Sequence, residues 1–245
     1  MTTLFVSDLH LDAARPDKLE LFARFAARAH NAQALYILGD LFEVWVGDDD
    51  DNPAYAKVIQ TLRKLSNAGV AVYVAHGNRD FLFGKRFENA SGATLLPDYA
   101  IIDLHGQRTL LTHGDLLCTR DTKYQKFRRV VRNPLVQFLF LAAPLPWRKR
   151  IAYKTQSGTR ASMAQKHAAI MDVDMTTVSS VMTAHDTHLL IHGHTHRPDV
   201  HHFEIDGQAC KRIVLGDWYE QDSVLIADAD GQRSQRIGEF LASAA

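Results

Sequence analysis

A chain of 245 residues, 46% hydrophobic and 23% charged, suits one compact domain that can bury a full core. Its 28 basic and 28 acidic residues cancel, which excludes a global field drawing it to nucleic acid, and two cysteines are too few for a disulfide framework or a thiolate zinc site. No run reaches the ~18 apolar residues of a bilayer span, and a strand pattern by Leu4 leaves no room for a leader, so a cytoplasmic protein is expected.

Leu4 to Val6 reads as a buried strand and is followed by Asp8-Leu9-His10. From Lys18 to His30, Leu19, Phe22, Phe25, Ala26 and Ala29 recur at helical spacing. Leu35 to Leu38 is a second strand, ending in Gly39-Asp40. Asp51-Asn52-Pro53 then supplies a cap and a first-turn proline for a helix carrying Val58, Ile59, Leu62 and Leu65 and stopping near Gly69. The acidic run Asp48 to Asp51 reads as a solvated loop that starts this helix. Val70 to Val74 is the third strand, leading into Gly77-Asn78-Arg79-Asp80. Such strand–helix–strand units imply parallel pairing, with ligands outside the carboxyl ends of the strands.

Thr94 to Leu96, Ala100 to Leu104 and Arg108 to Thr112 read as further strands, with His105-Gly106-Gln107 as a hairpin turn and His113-Gly114-Asp115 after the last. Residues 119 to 183 look helical and form an insertion. Strands resume at Leu189 to Ile191, before Gly193-His194-Thr195-His196, and continue at His201 to Ile205, Arg212 to Leu215, Ser223 to Ala227 and Gln235 to Ile237. The expected class is α/β, two packed sheets flanked by helices.

Carboxylate, imidazole and amide groups recur at these strand ends. Residues i and i+2 of a strand point the same way, so Asp8 with His10, and His194 with His196, are expected to address one cluster. Asp40 is a natural bridge between two cations, Asn78 offers a neutral oxygen and His113 a further nitrogen. Donors of mixed nitrogen and oxygen type suit manganese, iron or zinc. His30, His76, His105, His167, His185, His188, His201 and His202 read as ordinary hydrogen-bonded side chains, and His192 as facing away from its neighbours.

The set Asp8-x-His10, Gly39-Asp40, Gly77-Asn78, His113 and Gly193-His194-x-His196 resembles the calcineurin-like metallophosphoesterases. That resemblance implies a four-layer α/β/β/α sandwich of two mixed sheets, with residues 1–118 and 184–245 as core and 119–183 as a helical lid. It implies one ion on Asp8, His10, Asp40 and His196 and another on Asp40, Asn78, His113 and His194. Many members carry a histidine after Gly-Asn to protonate the leaving oxygen, where this chain has Arg79. A phosphate leaving group, with a second pKa of ~6, needs no such acid, and a forked guanidinium suits growing phosphate charge. The pattern therefore favours a phosphoanhydride over a simple ester.

Between Thr119 and Arg160 eleven basic residues face the single acid Asp121, and they frame the apolar stretch Pro134 to Trp147. Two readings stand: a helix buried in the local core with a basic rim, or a lid that shelters acyl chains while its flanks rest on anionic lipid. Lipid fits better than nucleic acid, because no stacking platform of exposed aromatic residues is evident.

Longer strings, among them Ala34 to Glu43, Gly77 to Phe87, Thr112 to Thr119, Ile170-Met-Asp-Val and Ile191 to Pro198, are similar to the UDP-2,3-diacylglucosamine diphosphatase family of lipid A biosynthesis. What that resemblance implies is a manganese enzyme, with two Mn2+ per chain, at the cytoplasmic face of the inner membrane. Its reaction would be water attack at the α-phosphorus, giving UMP and 2,3-diacylglucosamine 1-phosphate. Asp40, Asn78, Arg79 and His194 would carry the chemistry. Substrate contacts would come from Asn78, Arg79, Asp121, Tyr124, Thr159, Lys166 and His194. Thr159 stands where a serine is usual, and Met163 where asparagine is common. The anionic membrane surface is the expected partner, with no nucleic acid and no protein partner. A nucleotide or dinucleotide phosphoesterase on the same scaffold is the alternative enzyme, and it would have no use for the apolar centre of the insertion. A metal-free binding module is a third reading, but such a chain should have lost ligands.

Overall fold

The structure is a computed structural model that describes residues 2–163 and 172–243, with residues 156–163 described as helical backbone alone. Three short strands start the fold: β1 (Thr3–Val6), β2 (Ala34–Ile37) and β3 (Ala71–Ala75). They pair in parallel, with Phe5 opposite Tyr36 and Tyr36 opposite Tyr73. Alternation along each strand separates two cores. Leu4, Val6, Leu35, Ile37, Val72 and Val74 face the helices, whereas Phe5, Tyr36 and Leu38 face a second sheet. The rings of Phe5, Tyr36 and Tyr73 stack in a ladder at 5.0 and 4.6 Å. Each fully buried side chain of this kind is worth roughly 1.5–3 kcal/mol.

The first sheet has six strands in the order β11-β10-β1-β2-β3-β4, with β4 at Thr94–Leu96, β10 at Ser223–Asp228 and β11 at Gly231–Arg236. The second has five, β5-β6-β7-β9-β8, formed by Ala100–Leu104, Gln107–Thr112, Leu189–His192, Gln208–Val214 and Asp199–Ile205 for β5, β6, β7, β9 and β8. Both mix parallel and antiparallel pairs. Helices α1 (Pro16–Ala29), α2 (Pro53–Asn67), α3 (Lys85–Ser91) and α8 (Ile237–Ala242) cover the outer face of the first sheet. Helix α7 (Met175–Ala184) covers the second, burying Val178 and Met182 against Leu110 and Leu190. The result is the expected four-layer α/β/β/α sandwich.

The cap at α2 forms as expected, with the Asn52 side chain accepting from Ala54 N at 3.0 Å. Several elements differ from expectation. Gln107 belongs to β6, because His105 and Gly106 alone make the turn, with φ of 54° and 84°. Ile237 opens α8 rather than closing a strand, since its side chain is buried among the helices of the first layer. The unexpected α3 owes its start to Asp48, whose carboxylate accepts from Gly84 N at 3.0 Å and Phe87 N at 2.9 Å. Asp48 to Asp51 is the expected exposed loop ahead of α2 in that Asp49 and Asp51 face solvent. It is also tied to its surroundings: Asp49 pairs with Arg148 and Asp50 with Lys149 of the insertion.

The helices between β6 and β7 are α4 (Thr122–Val131), α5 (Pro134–Leu141), α6 (Leu145–Met163) and α7. The first three stand apart from α7, which packs on the second sheet. No residue of α5 is buried, and Leu135, Phe138 and Leu139 are 65%, 68% and 61% exposed, so α5 is not a local core helix. Among the described residues no helix is long and apolar enough to cross a membrane.

Candidate metal centre and the cavity beside it

Strands β1, β2, β3, β6 and β7 end on the same side of the sandwich, and the residues that follow them meet there. The expectation that Asp8 and His10, or His194 and His196, share a strand face is corrected in detail. Strands β1 and β7 have already ended, and the paired residues sit in turns of left-handed backbone, with φ of 54° at Asp8, 47° at His10, 70° at His194 and 54° at His196. Asp40 is also left-handed, at 52°. Five such residues in one place is backbone strain concentrated at a site. The glycine before Asn78 and that before His194 have a steric reason. A Cβ on Gly77 would collide with the Asp40 carboxylate, and one on Gly193 with Ser7 and Asp8.

The seven donors form two groups that share Asp40. In the first, Asp8 Oδ1 lies 3.2 Å from His196 Nε2 and 3.9 Å from His10 Nε2, and Asp40 Oδ2 is 3.7 Å from His10 Nε2. In the second, Asn78 Oδ1 is 3.0 Å from His113 Nε2 and 2.9 Å from His194 Nδ1, with Asp40 Oδ2 4.0 Å from His113 Nε2. The carboxylates are held from behind. Asp8 Oδ2 accepts from the Ser7 hydroxyl at 2.6 Å and from His194 N at 2.8 Å, and Asp40 Oδ1 accepts from Arg79 N at 2.8 Å. Buried Asp80 ties the loops together, accepting from Gly77 N at 2.9 Å and from Asp40 N and Phe42 N at 3.3 Å. Burial and the neighbouring Asp40 push its carboxyl up to about 7.

This donor set fits a divalent cation on three observations. His10 Nε2 is buried without a hydrogen-bond partner while two carboxylates face it. His113 Nδ1 is 2.8 Å from the Leu38 carbonyl, so a neutral ring donates there and turns an unprotonated Nε2 towards Asn78 Oδ1 and, at 3.2 Å, His194 Nδ1, three potential ligand atoms converging on one point. The field is also strongly negative. Burial alone would lower the pKa of His113, but Asp40, Asp8 and Asp115 raise it. The carboxyl of Asp8 is itself held low, because His196, His113 and His10 outweigh its burial.

Several contributors were missed by sequence reasoning. Glu43 Oε2 lies 3.2 Å from His10 Nδ1 and accepts from the Tyr219 hydroxyl. Burial would raise the Glu43 carboxyl, but His10, Tyr219 and Arg79 pull it down to about 2. Asp217 Oδ2 lies 3.4 Å from His196 Nδ1. A signal was present: Gly216-Asp217 follows an apolar strand just as Gly39-Asp40 does. Asp115 accepts from the Tyr124 hydroxyl at 2.6 Å and from Arg128 Nε at 2.7 Å, fixing α4 to the core. His192 faces away as expected, its Nε2 3.1 Å from Arg212 Nη1. His76 is an ordinary side chain 3.1 Å from the Phe83 carbonyl.

A cavity of about 250 Å³ opens beside the second donor group. Asn78, Arg79 and Tyr124 line it, and the Tyr124 ring is 6.0 Å from that of His194. Apart from Glu43, Gln137 and Thr155 the rest of the lining is apolar, with Trp45, Phe81 and Leu82 from the core and Phe127, Val131, Val136, Phe140 and Ile151 from α4, α5 and α6. Asp121, one of the expected substrate contacts, caps α4 by accepting from Tyr124 N at 3.1 Å. The Thr159 side chain and Lys166 lie outside the described residues.

Two sheets that deliver Asp, His and Asn to one pocket at their strand ends define a metal-dependent phosphoester hydrolase. The family model of the calcineurin-like phosphoesterases matches residues 1–198, and the chain belongs to that family. It is similar over nearly its whole length to proteins named UDP-2,3-diacylglucosamine hydrolase. The protein of that name from Aeromonas hydrophila is 49% identical over 237 residues, covering 96% of this chain and 98% of its own. That from Vibrio vulnificus is 50% identical, covering 94% and 96%, and that from Pseudomonas aeruginosa 49%, covering 95% and 98%.

Proposed function

We propose that this chain hydrolyses the diphosphate of UDP-2,3-diacylglucosamine by water attack at the α-phosphorus, releasing UMP and 2,3-diacylglucosamine 1-phosphate. The observation that carries the reading is the largely apolar cavity that Asn78 and Arg79 line beside the donor cluster. An acylated sugar nucleotide has the matching polarity, with a diphosphate for the cluster and hydrocarbon for the wall between core and α4, α5 and α6. Those three helices act as the lid. A plain nucleotide would leave the wall wet.

Two Mn2+ ions are assigned, one to Asp8, His10, Asp40 and His196, the other to Asp40, Asn78, His113 and His194. When bound, such cations supply positive charge that polarises phosphoryl oxygens and orients an in-line displacement. The chain's own groups do the rest. Arg79 donates to equatorial oxygens as negative charge grows at phosphorus. Its backbone N–H already holds Asp40, so one residue couples substrate to ligand. Tyr124, fixed by Asp115, orders the side of the pocket nearest His194.

The exposed Leu135, Phe138 and Leu139 of α5, with basic residues before and after that helix, suit the surface of an anionic membrane. The chain then works as a peripheral protein on the inner face of the membrane that holds its substrate. The test is to incubate the purified protein with Mn2+ and UDP-2,3-diacylglucosamine and measure UMP. Release that depends on Mn2+ and on the acyl chains is expected. Equal release from UDP-glucosamine would overturn the lipid reading in favour of a general nucleotide phosphoesterase.

A further inference from the structure

The two donor groups differ in what stands behind their histidines. In the group of Asn78, the His113 ring leans on a backbone carbonyl, that of Leu38. In the group of Asp8, both rings face a carboxylate that is not itself among the seven donors. His10 Nδ1 is 3.2 Å from Glu43 Oε2, and His196 Nδ1 is 3.4 Å from Asp217 Oδ2. Both supports are themselves fixed. Asp217 Oδ1 is occupied by Tyr219 N at 2.7 Å and Glu220 N at 3.0 Å, which leaves Oδ2 to face the ring. Glu43 takes the Tyr219 hydroxyl. The Tyr219 ring lies over His10 at 4.6 Å and beside His196 at 6.2 Å, with the Arg15 guanidinium 5.1 Å from its centroid.

One short loop therefore reaches both histidines. Trp218 anchors it, fully buried, with its backbone N–H on the Asp8 carbonyl at 3.1 Å. The loop touches ligand residues at Asp8, His10 and His196, and nothing comparable stands behind Asn78 or His194 among the described contacts.

We propose that Glu43 and Asp217, with Tyr219 locking the first, are positioning residues that set the affinity of one of the two metal sites. Each carboxylate keeps the proton on Nδ1 of its imidazole, so that His10 and His196 both turn a bare Nε2 towards Asp8 and Asp40. The same negative charge makes each ring a stronger donor. Outer carboxylates of this kind change metal affinity by about 10–100-fold. The inference rests on the two-ion reading given above, and it is specific: the site of Asp8 is tuned by side chains, the site of Asn78 by backbone.

The experiment uses the metal-free full chain and Mn2+ alone, with free Mn2+ followed by electron paramagnetic resonance during titration. The unaltered protein should bind two ions. Glu43→Ala and Asp217→Ala should each weaken one of them by about 10–100-fold and leave the other in place. Glu43→Gln, whose amide oxygen can face Nδ1 as the carboxylate does, should recover part of the loss. A merely structural role would not give this recovery or this split between sites. Thermal unfolding of the metal-free variants checks that they fold. Should the alanine variants fail to fold, Tyr219→Phe removes one hydroxyl from a half-buried ring and should still weaken the same site severalfold. Two ions bound by the unaltered protein and unmoved affinities in every folded variant would overturn the inference alone. Failure of the unaltered protein to bind Mn2+ would overturn the two-ion reading as well.

Discussion

Arg148, buried in the first turns of α6, donates through both terminal nitrogens to the Asp49 carboxylate, Nη1 to Oδ1 at 2.9 Å. The same guanidinium caps two carbonyls, Val46 O at 2.7 Å and Ala143 O at 2.9 Å. It also explains Gly47, where a Cβ would crowd both Arg148 and Leu141. The Arg148 hydrogen bonds hold the Asp49 carboxyl below its usual range. Arg148 thus clasps the start of α6 to the loop of Val46 and Asp49, next to Val46 and Ile151 of the cavity lining. Arg148→Met keeps the volume but leaves two carbonyls without a donor, a cost of about 1–3 kcal/mol each where they stay dry. Urea unfolding should show the loss, and the Michaelis constant for the diacylated substrate should rise while that for a deacylated analogue holds. An unchanged constant for both would mean that the clasp does not shape the cavity.

Replacing Arg79 should separate binding of metal from handling of substrate. Its backbone N–H holds Asp40 at 2.8 Å, a bond that any residue but proline can make, while the residue also lines the cavity. Arg79→Ala should therefore leave Mn2+ content unchanged and lower kcat by about 10²–10³-fold, the usual effect of removing one donor from a developing oxyanion. Metal analysis beside steady-state kinetics checks both halves. Loss of manganese with the side chain would reverse the assignment.

What could be read from the sequence was local. Short apolar runs followed by Gly-Asp, Gly-Asn or Gly-His name strand ends, because glycine is needed where the loops touch, as at Gly77 and Gly193. The presence of two packed sheets and the cap at Asn52 follow from equally short patterns, whereas the order of the strands within each sheet does not. The left-handed turns at Asp8 and His196 were not legible, since they depend on packing between loops rather than on spacing. Helix α3 escaped notice because its cap, Asp48, comes from a loop more than thirty residues upstream. Arg148 and Asp49 are 99 residues apart, and neither carries a local mark of the pair. Asp217 is different: its Gly-Asp pattern after an apolar strand is the same local mark that Asp40 carries.

The charge on His196 offers a test by pH. Burial disfavours the charged ring, but Asp8 and Asp217 outweigh it and raise the pKa from 6.5 to about 9. A raised value in the folded state means that this proton stabilises the metal-free protein fully below pH 6.5, and that the contribution is lost as pH rises through about 9. Metal uptake needs the neutral ring, so the sign is opposite: Mn2+ affinity should increase with pH up to about 9. Calorimetric titration at pH 7 in buffers of different ionisation enthalpy should report release of about one proton per ion at this site. Heats independent of buffer would exclude His196 as a ligand that must first be deprotonated.

Helix α5 presents two apolar faces that should separate in function. Val136 and Phe140, four residues apart, line the cavity, whereas Leu135, Phe138 and Leu139 point to solvent at 65%, 68% and 61% exposure. Phe140→Ala should act on the substrate, raising its Michaelis constant in detergent by about tenfold or more, since burying a large apolar side chain is worth ~1.5–3 kcal/mol. Phe138→Asp with Leu139→Asp should act on the surface instead, weakening co-sedimentation with phosphatidylglycerol vesicles and sparing turnover in detergent. High salt should weaken vesicle binding of the unaltered protein too, because the neighbouring lysines and arginines are exposed to screening. If the aspartate pair cripples turnover in detergent as badly as Phe140→Ala does, the outer face belongs to the substrate and not to the membrane.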